Sequence, residues 1–265
     1  MNKDKILSLI SLLDDENENT SSFAIKELLS EGKKALGALS EFQESVNPII
    51  RKRVHQIQAI HLIRKSRDIL VRRLTNRHSG LWNGLLEIHL AWFDRDTKEN
   101  INALFAELLN EFSKLENLNS KSLANFMRMM GFVMPIEGDI DPEYYCVGSV
   151  LESKIGSDSV LSAIAYKLLI ESGKEAKLIR YKNITCLIMD GDIINPESWK
   201  TESEKSAEYE TLDPGQVMRY TMLKLFLATI CSESYRYTYT IGKCLKKSET
   251  AAPLPIKKNE NLKAD

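Results

Sequence analysis

The chain has 265 residues, of which 43% are hydrophobic and 28% charged, with a formal net charge of −1. That composition supplies a buried core, and the balanced charge provides no overall field that would select nucleic acid or an anionic membrane. No apolar run approaches the ~20 residues that span a bilayer. The opening MNKDKILSLISLLDDENEN lacks a signal peptide's long apolar stretch and cleavage site, so a cytoplasmic protein is expected.

In chain order, residues 3–13 read as a short helix that stops at the acidic run Asp14-Asp15-Glu16. A second helix is expected from Thr20 or Ser21 as N-cap to Gly32, carrying Phe23, Ile25, Leu28 and Leu29. A third covers residues 33–42 with Ala35, Leu36 and Leu39 inward. Asn47-Pro48 then caps a helix of about seven turns whose residues Ile50, Val54, Ile57 and Ile60 recur at helical spacing.

Further helices are expected over residues 78–93, 98–114 and 120–130. The first of these presents Trp82, Trp92 and Phe93 with Leu81, Leu85 and Ile88 as a core stripe, and His89 as a structural residue. Pro135, Gly138 and Pro142 make residues 132–145 a loop, and residues 147–153 supply one or two helical turns. The most regular helix, 157–172, carries Val160, Leu161, Ile164, Leu168 and Leu169 and stops at Gly173. The spacing then becomes strand-like over 177–181 and 185–189, with a hairpin at Asp190-Gly191 leading into Asp192-Ile193-Ile194. Helix 157–172 is expected to cover this sheet and bury Ile164, Leu168, Leu187 and Ile193 together. After Pro196 the chain turns polar, and helices return at 216–231 and 234–246. The expected fold is mainly α, with an α+β core holding a short antiparallel sheet.

Two resemblances follow from these residues. ISLLDDENENTSSFAIKELLSEGKKALGALSEF is similar to HEAT-type paired helices. The block from Asp139 to Trp199 resembles the bacterial SirB-type transglutaminase-like family. Its landmarks are Asp141-Pro142, the short helix from Leu151 to Gly156, the long helix to Gly173, the strands from Leu178 to Met189, and Ile194-Asn195-Pro196. The trailing LDPGQVMRYTMLKLFLATICSESYRYTYTIGKCL resembles a tetratricopeptide-like helical pair, with Met218, Leu223, Leu227, Tyr235, Tyr239 and Ile241 as its apolar positions. The resulting division is a HEAT-like region (1–77), a transglutaminase-like core with its leading helices (78–205), a helical pair (206–248) and a flexible tail (249–265).

The resemblance implies a catalytic cysteine at the start of the long helix, a histidine on a strand and an aspartate on the next. Those positions fall on Asp158, near Ile184, and on Asn195, none of which suits the chemistry. All four histidines (His55, His61, His78, His89) precede residue 90, whereas Cys146, Cys186, Cys231 and Cys244 all follow it. A Cys–His pair cannot be built within the second half of the chain. Cys146 and Cys186 are therefore read as buried thiols.

No cofactor or metal site is expected. The acids Asp139, Asp141, Glu143, Asp158, Asp190 and Asp192 match no calcium-loop spacing and read as turn and surface residues. The sharpest charge feature is Arg51, Lys52, Arg53, Arg64, Lys65, Arg67, Arg72, Arg73 and Arg77 against the single acid Asp68. Arg53, Arg64 and Arg67 fall at about 0°, 20° and 320° around a straight helix, while Arg72 and Arg73 fall near 100° and 200°. Only part of that charge shares a face. The reading is a non-catalytic interaction or scaffold protein in a bacterial cytoplasm, with a protein or peptide partner. The alternatives are a cysteine-dependent amide-bond enzyme and a nucleic-acid binder acting through Arg53, Arg64 and Arg67.

Overall fold

The computed structural model describes residues 3–76 and 80–251. Arg77, His78 and residues 252–265 of the tail expected over 249–265 lie outside the described residues. The chain divides into two compact units, Met1–Asp68 and Ile69–Asp265. The division falls within a helix, ahead of residue 77, where the sequence reading placed it.

The first unit contains α1 (Lys3–Ser11), α2 (Glu18–Ser30), α3 (Lys33–Leu39) and the greater part of α4 (Pro48–Thr75). Its core is Ile6, Leu9, Ile10, Leu13, Ala24, Leu28, Ala35, Leu39, Val54 and Ile57. The start of α2 differs from expectation. Asn17, not Thr20 or Ser21, caps it by accepting from the Asn19 N–H at 3.0 Å. Asp15 accepts from the Asn17 N–H at 2.8 Å and makes the turn early, while Glu18 complements the helix dipole. With that start Ser21, Ala24 and Leu28 face inward, and Phe23 turns to solvent. Asn47 caps α4 as expected, accepting from Ile49 N at 2.9 Å, and its amide also donates to Asp14 at 2.7 Å.

The second unit adds α5 (Leu81–Trp92), α6 (Lys98–Phe112), α7 (Ser120–Met129), α8 (Val147–Ser153) and α9 (Asp158–Glu171). The strands β1 (Lys177–Tyr181), β2 (Ile184–Met189), β3 (Asp192–Asn195), β4 (Lys200–Ser203) and β5 (Glu210–Thr211) follow. Helices α10 (Pro214–Cys231) and α11 (Tyr235–Ala251) complete it, so α11 extends past residue 249. Helix α9 is central: nearly every side chain from Asp158 to Ala165, with Leu168 and Leu169, is buried. Helices α5 to α11 and one face of the sheet share a single core that includes Leu85, Phe112, Phe132, Ile164, Leu187, Met218 and Ile241.

The sheet is antiparallel, in the order β4-β3-β2-β1-β5. Asp190 and Gly191 turn β2 into β3 with φ of 54° and 80°, the left-handed pair that a tight hairpin requires. Lys182 and Asn183 do the same between β1 and β2, with φ of 49° and 65°. Register corrects one expectation. Leu187 pairs with Ile194, and both join Ile164 and Leu168 on the α9 side. Ile193 pairs with Ile188 and faces the opposite side, with Ile179 and Cys186. Side chains alternate along a strand, so neighbouring residues cannot share a face. Strands β4 and β5 lie in the stretch read only as polar. They are mostly exposed edge strands held by backbone pairing, which needs no apolar pattern.

The two faces are expected to respond differently to truncation. Ile194→Ala, in the large core, should cost about 2–5 kcal/mol in urea unfolding. Ile193→Ala, in the small cluster of the other face, should cost less. A larger loss at Ile193 would contradict this division of the sheet.

Candidate functional site

The start of α9 gathers a buried polar cluster. Ser157 caps the helix, accepting from Val160 N, while its own N–H donates to the Tyr144 carbonyl at 2.8 Å. Asp158, 2% exposed, occupies the first helical position. One carboxylate oxygen accepts from the Thr185 N–H at 2.8 Å, and the other accepts from Lys224 Nζ at 2.5 Å. Ser162 donates to the Thr185 carbonyl at 2.7 Å, and Thr221 donates to the Ser159 hydroxyl at 2.9 Å. Burial, with the Asp158 charge beside it, pushes the Tyr145 phenol up and keeps it neutral. The cluster joins β2, α9 and α10.

The positions carried over from the resemblance are therefore only partly brought together. Asp158 bonds the backbone next to Ile184, but the Ile184 side chain packs with Ile179, Cys186 and Ile188 on the far face of the sheet. Asn195 accepts from Glu197 N at 2.9 Å and shapes the turn after β3. Its carbonyl accepts from Trp199 N at 2.7 Å, and the Trp199 indole donates to the Phe132 carbonyl at 2.7 Å. Both Asp158 carboxylate oxygens accept a hydrogen bond, and neither Ile184 nor Asn195 carries a titratable side chain. A cleft of about 390 Å³ does exist elsewhere in this unit, lined by Leu104, Glu107, Leu108, Met130, Leu151 and Lys154 among others. None of Asp158, Ile184 and Asn195 borders it.

Cys146, Cys186 and Cys244 are buried, and Cys231 is exposed. Burial pushes the Cys146 thiol far up and Cys186 up to about 12, so both are held as thiols. Among the described residues no hydrogen bond joins Cys146 or Cys186 to a histidine. His89 is buried, and both of its ring nitrogens are used. Nδ1 accepts from the Gly148 N–H at 3.2 Å, so the proton sits on Nε2, which donates to Asp96 at 2.8 Å. A Cβ at Gly148 would lie 2.6 Å from the ring, so only glycine lets α8 approach α5 this closely. The imidazole has no free lone pair for general-base work. Glu87, buried on the same helix, is paired with Lys98.

The acids disperse as individual anchors. Asp139 accepts from the Tyr144 hydroxyl at 2.6 Å, Asp141 caps the turn at Pro142, and Asp192 accepts from Ser120 at 2.7 Å. Among the described residues no three His, Cys, Asp or Glu side chains group to hold a metal. On α4 the three arginines have different surroundings. Arg53 donates to the Leu13 carbonyl and finishes the turn after α1, Arg64 is exposed, and Arg67 is half-buried.

One surface was missed by sequence reasoning. Met218 and Ile241 are buried as expected of the helical pair, but Leu223, Leu227, Tyr235 and Tyr239 are not. They are 41%, 51%, 78% and 67% exposed, and Ile230 joins them at 49%. On α10 the residues Leu223, Leu227 and Ile230 fall within an arc of about 60°, and Tyr235 and Tyr239 form a similar stripe on α11. The signal available in sequence was that α10 is apolar on more sides than one packed face requires.

Two outcomes are expected from the buried groups. Among the described residues the buried Thr185 hydroxyl has no hydrogen-bond partner, so Thr185→Val should leave stability unchanged or raise it by up to ~1 kcal/mol. Asp158→Ala, which orphans the Thr185 N–H and the Lys224 ammonium, should cost about 3–5 kcal/mol. Urea unfolding of both variants checks this. Burial lowers the His89 pKa below its ordinary 6.5, against the opposing pull of Asp96. The folded state therefore binds this proton less readily than the unfolded chain. Stability from this site is complete above pH 6.5 and falls as pH drops from there through the folded value. His89→Gln should flatten that part of the pH dependence of the unfolding midpoint. Comparison with protein-family models, curated proteins and solved structures gives no match for this chain.

Proposed function

We propose that this chain is a non-catalytic protein-interaction protein of the bacterial cytoplasm, with the outer side of α10 and α11 as its partner-facing surface. The observation that carries this reading is the exposed stripe of Leu223, Leu227, Ile230, Tyr235 and Tyr239. Large apolar side chains gathered on one rigid face mark interaction surfaces more than solvated ones. The cysteine-enzyme alternative lacks support where the resemblance would place it. Asp158 stands at the nucleophile position, and its carboxylate is committed to Thr185 and Lys224. The nucleic-acid alternative loses Arg53 to the Leu13 carbonyl, which leaves less of the basic face for phosphate. No helix among the described residues is long and apolar enough to cross a membrane.

The test compares the full chain with Leu223→Ser/Leu227→Ser/Tyr239→Ser. A photo-crosslinker on the exposed Cys231 reports bound protein in bacterial extract. The triple variant should keep its thermal midpoint and lose the crosslinked partners of the wild type. An unchanged partner set would count against the surface. Duplex or single-stranded nucleic acid bound at physiological salt, and released by Arg53→Glu/Arg64→Glu/Arg67→Glu, would replace this reading with the phosphate-binding one.

A further inference from the structure

Helices α10 and α11 form an antiparallel hairpin whose register can be read from two contacts. The Thr238 hydroxyl donates to the Thr229 hydroxyl at 3.1 Å, and a Cβ at Gly242 would lie 2.8 Å from the Phe226 ring. On each helix this contact line separates the core-facing residues from the exposed stripe. The two stripes therefore emerge on the same, outer side of the hairpin. By this register Leu227 lies near the level of Tyr239 and Leu223 between Lys243 and Lys246, while Ile230 and Tyr235 lie nearer the turn. The result is a shallow apolar channel between two helical ridges, with ammonium groups at the end away from the turn.

The charge carried by the two helices is mostly basic. Between Pro214 and Ala251 the sequence carries Arg219, Lys224, Arg236, Lys243, Lys246 and Lys247 against two acids, Glu233 in the turn and Glu249. Lys224 and Arg236 are paired with Asp158 and Asp94, and Arg219 is buried. Lys243 and Lys246 are exposed, and Lys243 Nζ lies 5.6 Å from the Tyr239 ring centroid, at the channel's edge. On α10 the Arg180 guanidinium of β1 stacks 4.6 Å from the Tyr220 ring, just beyond Leu227 around the helix.

We infer that this channel receives an acidic amphipathic helix from a partner protein, an inference that rests on the outer face of α10 and α11 being the interaction surface. Apolar side chains at i, i+4 and i+7 of that helix would lie between the two ridges, in the manner of a helix in a groove. Carboxylates toward one end would meet Lys243 and Lys246 and fix its direction along the channel.

The probe is a synthetic helical peptide with leucines at i, i+4 and i+7 and glutamates near one end. It is titrated into the full chain carrying an environment-sensitive fluorophore on Cys231, the exposed cysteine that follows Ile230 at the end of α10. Two companion peptides replace the glutamates with glutamine or with lysine. Binding should weaken roughly tenfold from glutamate to glutamine and further to lysine, and should weaken with salt as exposed charge pairs do. Lys243→Glu/Lys246→Glu should remove the preference for glutamate while the glutamine peptide still binds. Leu227→Ser/Tyr239→Ser, both at exposed positions, should abolish binding of all three peptides without changing the circular dichroism spectrum.

Equal affinity for the three peptides, lost in Leu227→Ser/Tyr239→Ser, would overturn the acidic partner and leave the surface itself standing. Affinity untouched by Leu227→Ser/Tyr239→Ser would overturn both. Vesicles of phosphatidylglycerol that shift the fluorophore where the acidic peptide does not would assign the channel to a lipid surface instead. Concentration-dependent dimers in sedimentation, broken by Leu227→Ser/Tyr239→Ser, would assign it to a second copy of the chain. Either result would overturn the inference.

Discussion

The second unit depends on one buried carboxylate. Removing an ionised Asp158 from water costs several kcal/mol unless the charge is fully compensated. Three groups compensate it: the N-terminal end of α9, the Thr185 N–H of β2 and the ammonium of Lys224 on α10. Each comes from a different element, so the charge is tolerated only when helix, sheet and hairpin are all in place. The hydroxyls of Ser157, Ser159, Ser162 and Thr221 extend the same network through the surrounding core. The position where the resemblance places a nucleophile is thus the joint that holds the layers together.

The same joint explains why the outer face of the last two helices is bare. Lys224 and the core residues Met218, Met222 and Leu225 draw α10 inward. Close approach is permitted by small residues: Gly84 of α5 lies against Met218, and Gly242 of α11 lies against Phe226. The inner sides of both helices are then used in the core. Leu223, Leu227, Ile230, Tyr235 and Tyr239 remain outside because no later element of the described chain crosses them. Their exposure follows from the packing of their neighbours.

Much of the local structure was legible in the residues themselves. The Asn47-Pro48 start of α4, the Gly173 stop after α9 and the Asp190-Gly191 hairpin all occur where their stereochemistry demands. The buried cysteines and the structural role of His89 also followed from sequence. The thiols had no histidine within their own half of the chain. The short strands β4 and β5 were not legible, because edge strands are held by backbone bonds that leave no mark on side-chain pattern. The cap of α2 was misplaced because several polar residues in Asp15–Ser21 can serve, and the Asp15 turn chooses among them.

By itself, then, the sequence determined the helical class, most element boundaries and the hairpin. These are local properties, set by backbone stereochemistry, periodicity and the chemical identity of single side chains. Tertiary structure alone decided that Ile193 and Ile194 face opposite layers, since strand parity depends on register with a partner strand. It alone paired Asp158 with a lysine 66 residues away. It alone left the apolar stripe of α10 and α11 uncovered. An apolar residue at helical spacing is written the same way whether a neighbour covers it or not, and only the placement of the other elements tells the two apart.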